Sequence, residues 1–464
     1  MGPDYCGPEN CVSSCNQKSE CDPGDWGTEY ANATTCPLNV CCSKYGFCGT
    51  TEEFCGSKKV KRPSCKSNRS TQRVVGYYEG WAPGRVCNIL WPEQIPLGIY
   101  THLNYAFATI DPDTFEVMPP NRREAHLMTS LTDLKLHDPH LRVNIAIGGW
   151  SFSNPGPTAT TFSDLAASEA NQRKFFKSLV SFMATYGFDG VDIDWEYPAA
   201  NDRNGRAEDY ANFPKFMANL KKVLQGTGGR SEISMTLPTS YWYLRHFDIY
   251  ELAKHVDYFN YMSYDLHGAW DRGTKWTGAF LGSHTNLTEV RDVMDLLWRN
   301  NISPHQVVLG MAFYGRTFTL ADPACSNPYE SSEPGCLVAS GGETGDCSLQ
   351  TGILLNSELD EIRVKRGVSP RLDEKAAVQV LAWDDQWVTY DDEKTFRLKI
   401  DFARDFCLGG VMVWAVSHDT SSGKYSRMLG SEMEAGIETP IFKTTIRLAG
   451  EESDGSRTGE EEAE

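Results

Sequence analysis

The chain is 464 residues long, 40% of them apolar and 23% charged, with a formal net charge of −18. That length holds a large domain and something smaller, while the acidic balance argues against nucleic acid and the lack of a basic amphipathic stretch argues against a membrane surface. No apolar run reaches membrane-spanning length, and a neutral substrate suits the charge.

Ten of the fifteen cysteines lie between Cys6 and Cys65. Such density in a short segment reads as a disulfide scaffold in an oxidising compartment, with metal-binding cysteines as the competing reading. The adjacent Cys41 and Cys42 and the lack of paired CxxC knuckles suit zinc poorly. Sequons at Asn32, Asn68, Asn286 and Asn301 agree with secretion. Met1-Gly2-Pro3-Asp4 leads straight into Cys6 without a signal peptide, so the chain is expected to start inside a longer precursor.

Residues 36–55 carry Cys36, Cys41, Cys42, Cys48 and Cys55, with Ser43, Tyr45, Phe47 and Phe54 between them. This resembles the hevein-like chitin-binding module, expected over residues 21–65. The resemblance implies a platform of Tyr45, Phe47 and Phe54 for N-acetylglucosamine rings, with Ser43 bonding the acetamide. It also implies bridges Cys21 to Cys42, Cys36 to Cys48 and Cys41 to Cys55, leaving Cys6, Cys65, Cys87 and Cys407 unassigned. Residues 1–20, with Cys6, Cys11 and Cys15, look like the end of a preceding copy. Residues 56–72 are basic and almost free of apolar side chains, which predicts a solvated linker, with residues 66–72 joining the two domains.

From Arg73 short apolar runs alternate with helical periodicity. Eight strands are predicted, at Val74–Tyr78, His102–Phe107, Val143–Ile147, around Asp192, and at Ile233–Leu237, Tyr258–Met262, Val307–Met311 and Val411–Trp414. A helix with Phe175, Phe176, Leu179, Val180 and Met183 on one face precedes the fourth strand, with Gly187 as its C-terminal cap. Another follows it, with Pro214 suited to a first turn. Eight such strands predict an α/β fold, a (β/α)8 barrel over residues 73–435, whose site lies at the carboxyl ends of the strands. Residues 317–408 are too many for one helix and predict an α+β insertion walling the cleft between the seventh and eighth strands. Residues 436–464 read as an acidic disordered tail.

The fourth strand carries the chemistry. Side chains alternate across a strand, so Asp192, Asp194 and Glu196 share one face in a row roughly 7 Å apart at Cα, and Val191, Ile193 and Trp195 share the other. Three carboxylates in an apolar setting cannot all ionise, and the proton they retain is what a general acid needs. A solvated acidic turn would not interleave Val, Ile and Trp, and a calcium loop gathers its oxygens on irregular backbone.

Asp189, Asp192, Asp194 and Glu196 match the DxxDxDxE motif of glycoside hydrolase family 18 chitinases, which the chain resembles from Arg73 to about Arg427. Ile147-Gly148-Gly149-Trp150, Met262-Ser263-Tyr264-Asp265, Phe313-Tyr314-Gly315-Arg316 and Gly409-Gly410-Val411-Met412-Val413-Trp414 support it in order. The resemblance implies hydrolysis assisted by the substrate's own acetamide. Glu196 would be the acid and then the base, Asp194 would hold the acetamide N–H, Asp192 would hold Asp194, and Tyr264 would bond the acetamide oxygen. Trp414 would floor the distorted sugar, with Tyr77, Phe107 and Trp150 along the cleft. Gly148, Gly149, Tyr197, Met262, Asp265 and Arg316 would complete the substrate site.

Ala146 stands where the family usually has a Ser bonded to the residue matching Asp192, which predicts an altered pH profile. The resemblance implies no metal and no organic cofactor. A chitin lectin on the same barrel, or an endo-β-N-acetylglucosaminidase acting on N-glycans, are the competing readings. The former would lack the acid, which is present here, and the module beside the barrel favours insoluble chitin.

Overall fold

The computed structural model describes Gly2 and residues 17–65, 72–274, 277–326 and 335–435. The expected preceding module, apart from Gly2 and residues 17–20, lies outside the described residues, as do the acidic tail and linker residues 66–71.

All eight expected strands form: β1 Arg73–Glu79, β2 His102–Ile110, β3 Arg142–Gly148, β4 Gly190–Asp194, β5 Glu232–Pro238, β6 Tyr258–Met262, β7 Val307–Ala312 and β8 Gly410–Trp414. They pair in parallel in chain order, and β8 returns to β1 with Gly410 opposite Arg73, closing the barrel. Parallel strands covered on both faces must be apolar nearly throughout. Every residue of β4 and β7 is buried accordingly.

Helices α1 Arg122–Asp133, α2 Glu169–Tyr186, α3 Asp209–Leu224, α4 Leu287–Arg299, α5 Glu393–Asp405 and α6 Lys424–Ala435 surround the strands. In α2 the Ser168 hydroxyl accepts the Asn171 N–H at 3.3 Å, and Gly187 ends the helix at φ 81°. Its face of Phe175, Phe176, Leu179 and Met183 is buried, each side chain contributing about 1.5–3 kcal/mol. Pro214 corrects the sequence reading: α3 starts at Asp209, so the proline lies in the second turn. Asp209 anchors the earlier start, accepting the Ser163 hydroxyl at 2.8 Å and the Arg206 N–H at 2.7 Å.

The insertion is shorter than residues 317–408. It begins at Tyr314, whose strand Tyr314–Leu320 pairs antiparallel with Gln386–Tyr390 and Ile353–Leu355, and the sheet closes at Tyr390. Residues 393–405 instead form α5, because Phe396, Ile400, Phe402 and Ala403 bury one helical face against the barrel.

The small module has the bridges Cys21–Cys42, Cys36–Cys48 and Cys41–Cys55, with Cα separations of 6.0, 5.7 and 5.1 Å. Its sulfurs are therefore spent, and the metal reading of these cysteines falls away. Further bridges join Cys65 to Cys407, Cys87 to Cys347 and Cys325 to Cys336.

Residues 56–65 are not the free linker their composition suggested. Cys65 is bridged to the barrel, its N–H donates to the Asp405 carbonyl at 3.1 Å, and Arg62 binds Asp295 at 2.9 Å and Asp292 at 3.1 Å. The module itself sits on the end of α4. Asn300 donates to the Leu38 carbonyl at 2.9 Å, Asn39 donates to Asn300 at 2.9 Å, and Leu38 and Val40 join the barrel's apolar core. Among the sequons, Asn286 is buried and caps α4 by accepting the Thr288 N–H at 3.0 Å, which leaves it unfit for a glycan. Among the described residues no helix is long and apolar enough to cross a membrane.

Candidate active site

The acidic row sits inside the carboxyl end of the barrel. Asp192 is 0%, Asp194 4% and Glu196 8% exposed. The strand ladder ends at Asp194, so Glu196 stands two residues beyond β4 rather than at its last pair. Trp195 points the other way and packs between Phe162 at 5.3 Å and Phe213 at 5.0 Å, as its parity required.

Neutral donors hold the row. Tyr77 donates to Asp192 at 2.6 Å, Ser234 at 2.6 Å and Asn260 at 3.1 Å, while Thr236 donates to Asp194 at 2.6 Å. Among the described residues no cation pairs with any of the three carboxyls in a salt bridge; the side chain of Arg203 donates to the Glu196 carbonyl at 3.0 Å, not to its carboxylate. Burial therefore dominates. It raises Asp192 despite three donors, raises Asp194 further together with the charges of Glu196 and Asp192, and lifts Glu196 to about 7 against opposition from Tyr197 and Arg203. The row keeps protons near neutrality.

Ser234 answers the Ala146 departure. In register both Ala146 and Ser234 lie opposite Asp192, one on each neighbouring strand, so the hydroxyl missing from β3 is supplied by β5.

The paired glycines are there for space. A side chain on Gly148 would meet the Asp194 carbonyl at 2.0 Å and one on Gly149 the Phe107 ring at 2.7 Å, and both adopt positive φ. The Gly149 N–H donates to the Asp194 carbonyl at 2.8 Å, tying β3 to the acidic row.

Rings line the mouth. Phe107 is stacked on Trp414 at 5.8 Å and on Trp81 at 6.3 Å, and Trp414 keeps part of its surface open. Trp150 is 50% exposed, with the Arg203 guanidinium over one face at 3.5 Å. Tyr77 departs from its expected place along the cleft: it is 1% exposed and its hydroxyl is committed to Asp192. Tyr197 is likewise buried, stacked on Tyr243 at 4.3 Å.

Tyr264 is buried with its hydroxyl 3.8 Å from the Met412 sulfur, and Met262, two residues earlier, is half-buried. Asp265 accepts from Arg316 at 2.8 and 2.6 Å and from Tyr314 at 2.7 Å. Burial would raise Asp265, but Arg316 and His284 outweigh it and hold the carboxyl well below the usual range. In the module Tyr45 is 57% and Phe47 49% exposed, whereas Phe54 is half-buried. Ser43 is buried and its hydroxyl accepts the Phe47 N–H at 3.1 Å, so it shapes the turn that presents Phe47.

Sequence reasoning missed Ser234, Thr236, Asn260, Arg203 and the exposed Trp81 and Trp270. A signal existed for the first two: in Ile233-Ser234-Met235-Thr236-Leu237 the polar residues alternate within an apolar strand, as the acids do in β4.

A family model described as Glycosyl hydrolases family 18 matches residues 73–419, and one described as Chitin recognition protein matches residues 27–69. The secreted chitinase LysM12 of Penicillium expansum is 31% identical over 436 residues, covering 86% of this chain and 28% of that protein. The killer toxin subunits alpha/beta of Kluyveromyces lactis are 29% identical, covering 87% of this chain and 35% of theirs. The chain thus spans about a third or less of these relatives. Catalytic domain 2 of the Group II chitinase of Ostrinia furnacalis, solved with penta-N-acetylchitooctaose, superposes with a TM-score of 0.68 at 27% identity, covering 79% of this chain and 96% of that one.

Proposed function

The chain belongs to the glycosyl hydrolases of family 18, and from that membership we propose that it is a secreted chitinase. It hydrolyses β-1,4-linked N-acetylglucosamine polymers with retention of configuration. The observation that carries this reading is the buried row of Asp192, Asp194 and Glu196, in which neutral donors hold the two aspartates, no salt bridge meets any of the three among the described residues, and the pKa of Glu196 rises to about 7.

Glu196 gives its proton to the glycosidic oxygen as the bond to the anomeric carbon breaks. The acetamide oxygen of the same sugar attacks that carbon, forming a cyclic oxazolinium. Water, deprotonated by Glu196, then opens the ring from the face the leaving group vacated. Asp194 accepts the acetamide N–H and balances the charge that develops there. Its own charge is shared with Asp192, which Tyr77, Ser234 and Asn260 orient. The Tyr264 hydroxyl, which faces the Met412 sulfur in the structure, donates to the acetamide oxygen. Trp414 lies under the distorted sugar, with Phe107 behind it.

The substrate class is supported by the second module, whose exposed Tyr45 and Phe47 suit stacking on pyranose rings. The relative named secreted chitinase and the oligosaccharide bound by the neighbouring structure point the same way. Six bridges among the described cysteines suit an extracellular setting.

The test is the release and anomeric form of products from a chitooligosaccharide, followed by NMR for this chain and for Glu196→Gln. β-Anomeric products that vanish in the variant are expected. α-Anomeric products would overturn the mechanism, and binding without cleavage by the unmutated chain would make the protein a lectin.

A further inference from the structure

Arg203 is a buried cation with no acid of its own. It ends the short turn Asn201–Arg203 beyond β4 and is only 6% exposed. Its three guanidinium nitrogens all go to neutral oxygens: Nε to the Glu196 carbonyl at 3.0 Å, one terminal nitrogen to the Asn154 side-chain oxygen at 2.8 Å and the other to the Trp150 carbonyl. The neighbouring Asp202 turns away and accepts the Tyr243 hydroxyl at 2.7 Å. Among the described residues Arg203 enters no salt bridge.

Burying a charge without a counter-charge is costly. A clamp between the loops after β3 and β4 could be made more cheaply by a neutral amide, so the charge needs another reason. It faces the acid. The titratable groups around the Glu196 carboxyl are Asp194 beside it on β4, Tyr197 next in the chain, Tyr243 after β5, and Tyr264 and Asp265 after β6. Asp265 opposes ionisation of Glu196 and Arg203 favours it, while Arg316 is spent on Asp265.

We infer that Arg203 is the positioning residue of Glu196: its fork fixes the peptide that carries the acid, and its charge steadies the carboxylate left once the proton is given. This rests on the reading of Glu196 as the acid. After protonation of the leaving oxygen the row holds one more negative charge, in a site where hydroxyls and amides otherwise face it. That state must last until Glu196 takes a proton from water, and a fixed guanidinium lowers its energy without having to reorganise.

The test is the titration of the Glu196 carboxyl by NMR in the full chain, labelled with 13C at the glutamate carboxyls and assigned by the signal that Glu196→Gln removes. Turnover of a chitooligosaccharide is measured alongside. Arg203→Gln keeps a donor without the charge. Its Glu196 should titrate at higher pH than the parent's, by roughly half a unit or more, and the basic limb of kcat/KM should move with it. Its kcat should fall by roughly 10–10²-fold. Arg203→Lys keeps the charge without the fork, so Glu196 should titrate near the parent's pH while kcat falls by a similar factor. A titration in Arg203→Gln superimposable on the parent's would make Arg203 a clamp only and overturn the proposal. A kcat within about threefold of the parent's in Arg203→Lys would overturn it too. If the unmutated chain cleaves no oligosaccharide, the hydrolase reading fails, and the titration still decides what the charge of Arg203 does.

Discussion

A lone buried acid and the acidic row stand at the same end of the barrel and behave oppositely. Glu79 closes β1, 3% exposed, beneath Arg85, Ser417 and the His418 ring at 3.2 Å. Burial pushes its carboxyl up, but the charges of His418 and Arg85 outweigh it and bring the pKa to about 2. Glu196, scarcely more exposed, goes to about 7. Desolvation is common to both, so the sign is set by what pairs with the carboxylate. Glu79, in salt bridges with cations, is held ionised, whereas the acidic row, with hydroxyl and amide donors and no salt bridge among the described residues, keeps protons even against the charge of Arg203.

The largest test removes the proposed proton donor. Glu196→Gln keeps shape and burial but has no proton to transfer, and kcat on a chitooligosaccharide should fall by roughly 10²–10⁴-fold. A fall of less than tenfold would mean that another member of the row is the acid, and the contrast with Glu79 would lose its functional meaning.

A second test uses pH. If Glu196 is the acid, as proposed, it must be protonated before substrate binds, so kcat/KM should decline as pH rises through about 7, approaching tenfold per pH unit. A profile still flat at pH 8.5 would place the acid's pKa elsewhere.

Much of this contrast was legible in the sequence. The eight apolar runs marked the strands because a parallel barrel buries both strand faces, and the alternation in β4 put its acids on one face. Ser234 and Thr236 could have been found by the same alternation. What they touch could not, because it depends on β5 lying beside β4 in one particular register. The pairing of Glu79 with His418 joins residues 339 apart in sequence and leaves no local trace. The start of the insertion was misjudged because Phe313-Tyr314-Gly315-Arg316 reads as the end of a barrel strand, while Tyr314 already pairs antiparallel with Leu355. Residues 56–65 looked like linker because one bridge and one arginine hold them, and composition registers neither.

Stability should separate the two acids by sign. The folded pKa of Glu196 lies above its ordinary value, so its contribution is present below about pH 4.5 and is lost as pH rises through about 7. Glu196→Gln should then match the parent near pH 4 and exceed it near pH 8.5, by on the order of 3 kcal/mol in urea denaturation. The folded pKa of Glu79 is depressed, so its contribution is present above about pH 4.5 and is lost as pH falls through about 2. Glu79→Gln should lose about 3 kcal/mol at pH 7, since Arg85 and His418 would be left without their partner. Shifts of the same sign in the two variants would show that burial alone governs both sites.

The finest adjustment lies within the row. Ala146 and Ser234 flank Asp192 from either side, and only Ser234 has a hydroxyl, 2.6 Å from the carboxyl. Ser234→Ala withdraws a donor that favours the charged form, so the Asp192 pKa rises and the acid limb of the pH–rate profile moves to higher pH. Ala146→Ser offers a donor from the other side and moves that limb lower, and the double variant should return toward the parent. Each effect should be modest, severalfold in rate on the limb, because Tyr77 and Asn260 still hold Asp192 at 2.6 and 3.1 Å. Superimposable profiles for both single variants would mean that Asp192 does not exchange its proton during turnover. Glu196 and Asp194 would then carry the reaction, with Asp192 serving only to orient Asp194.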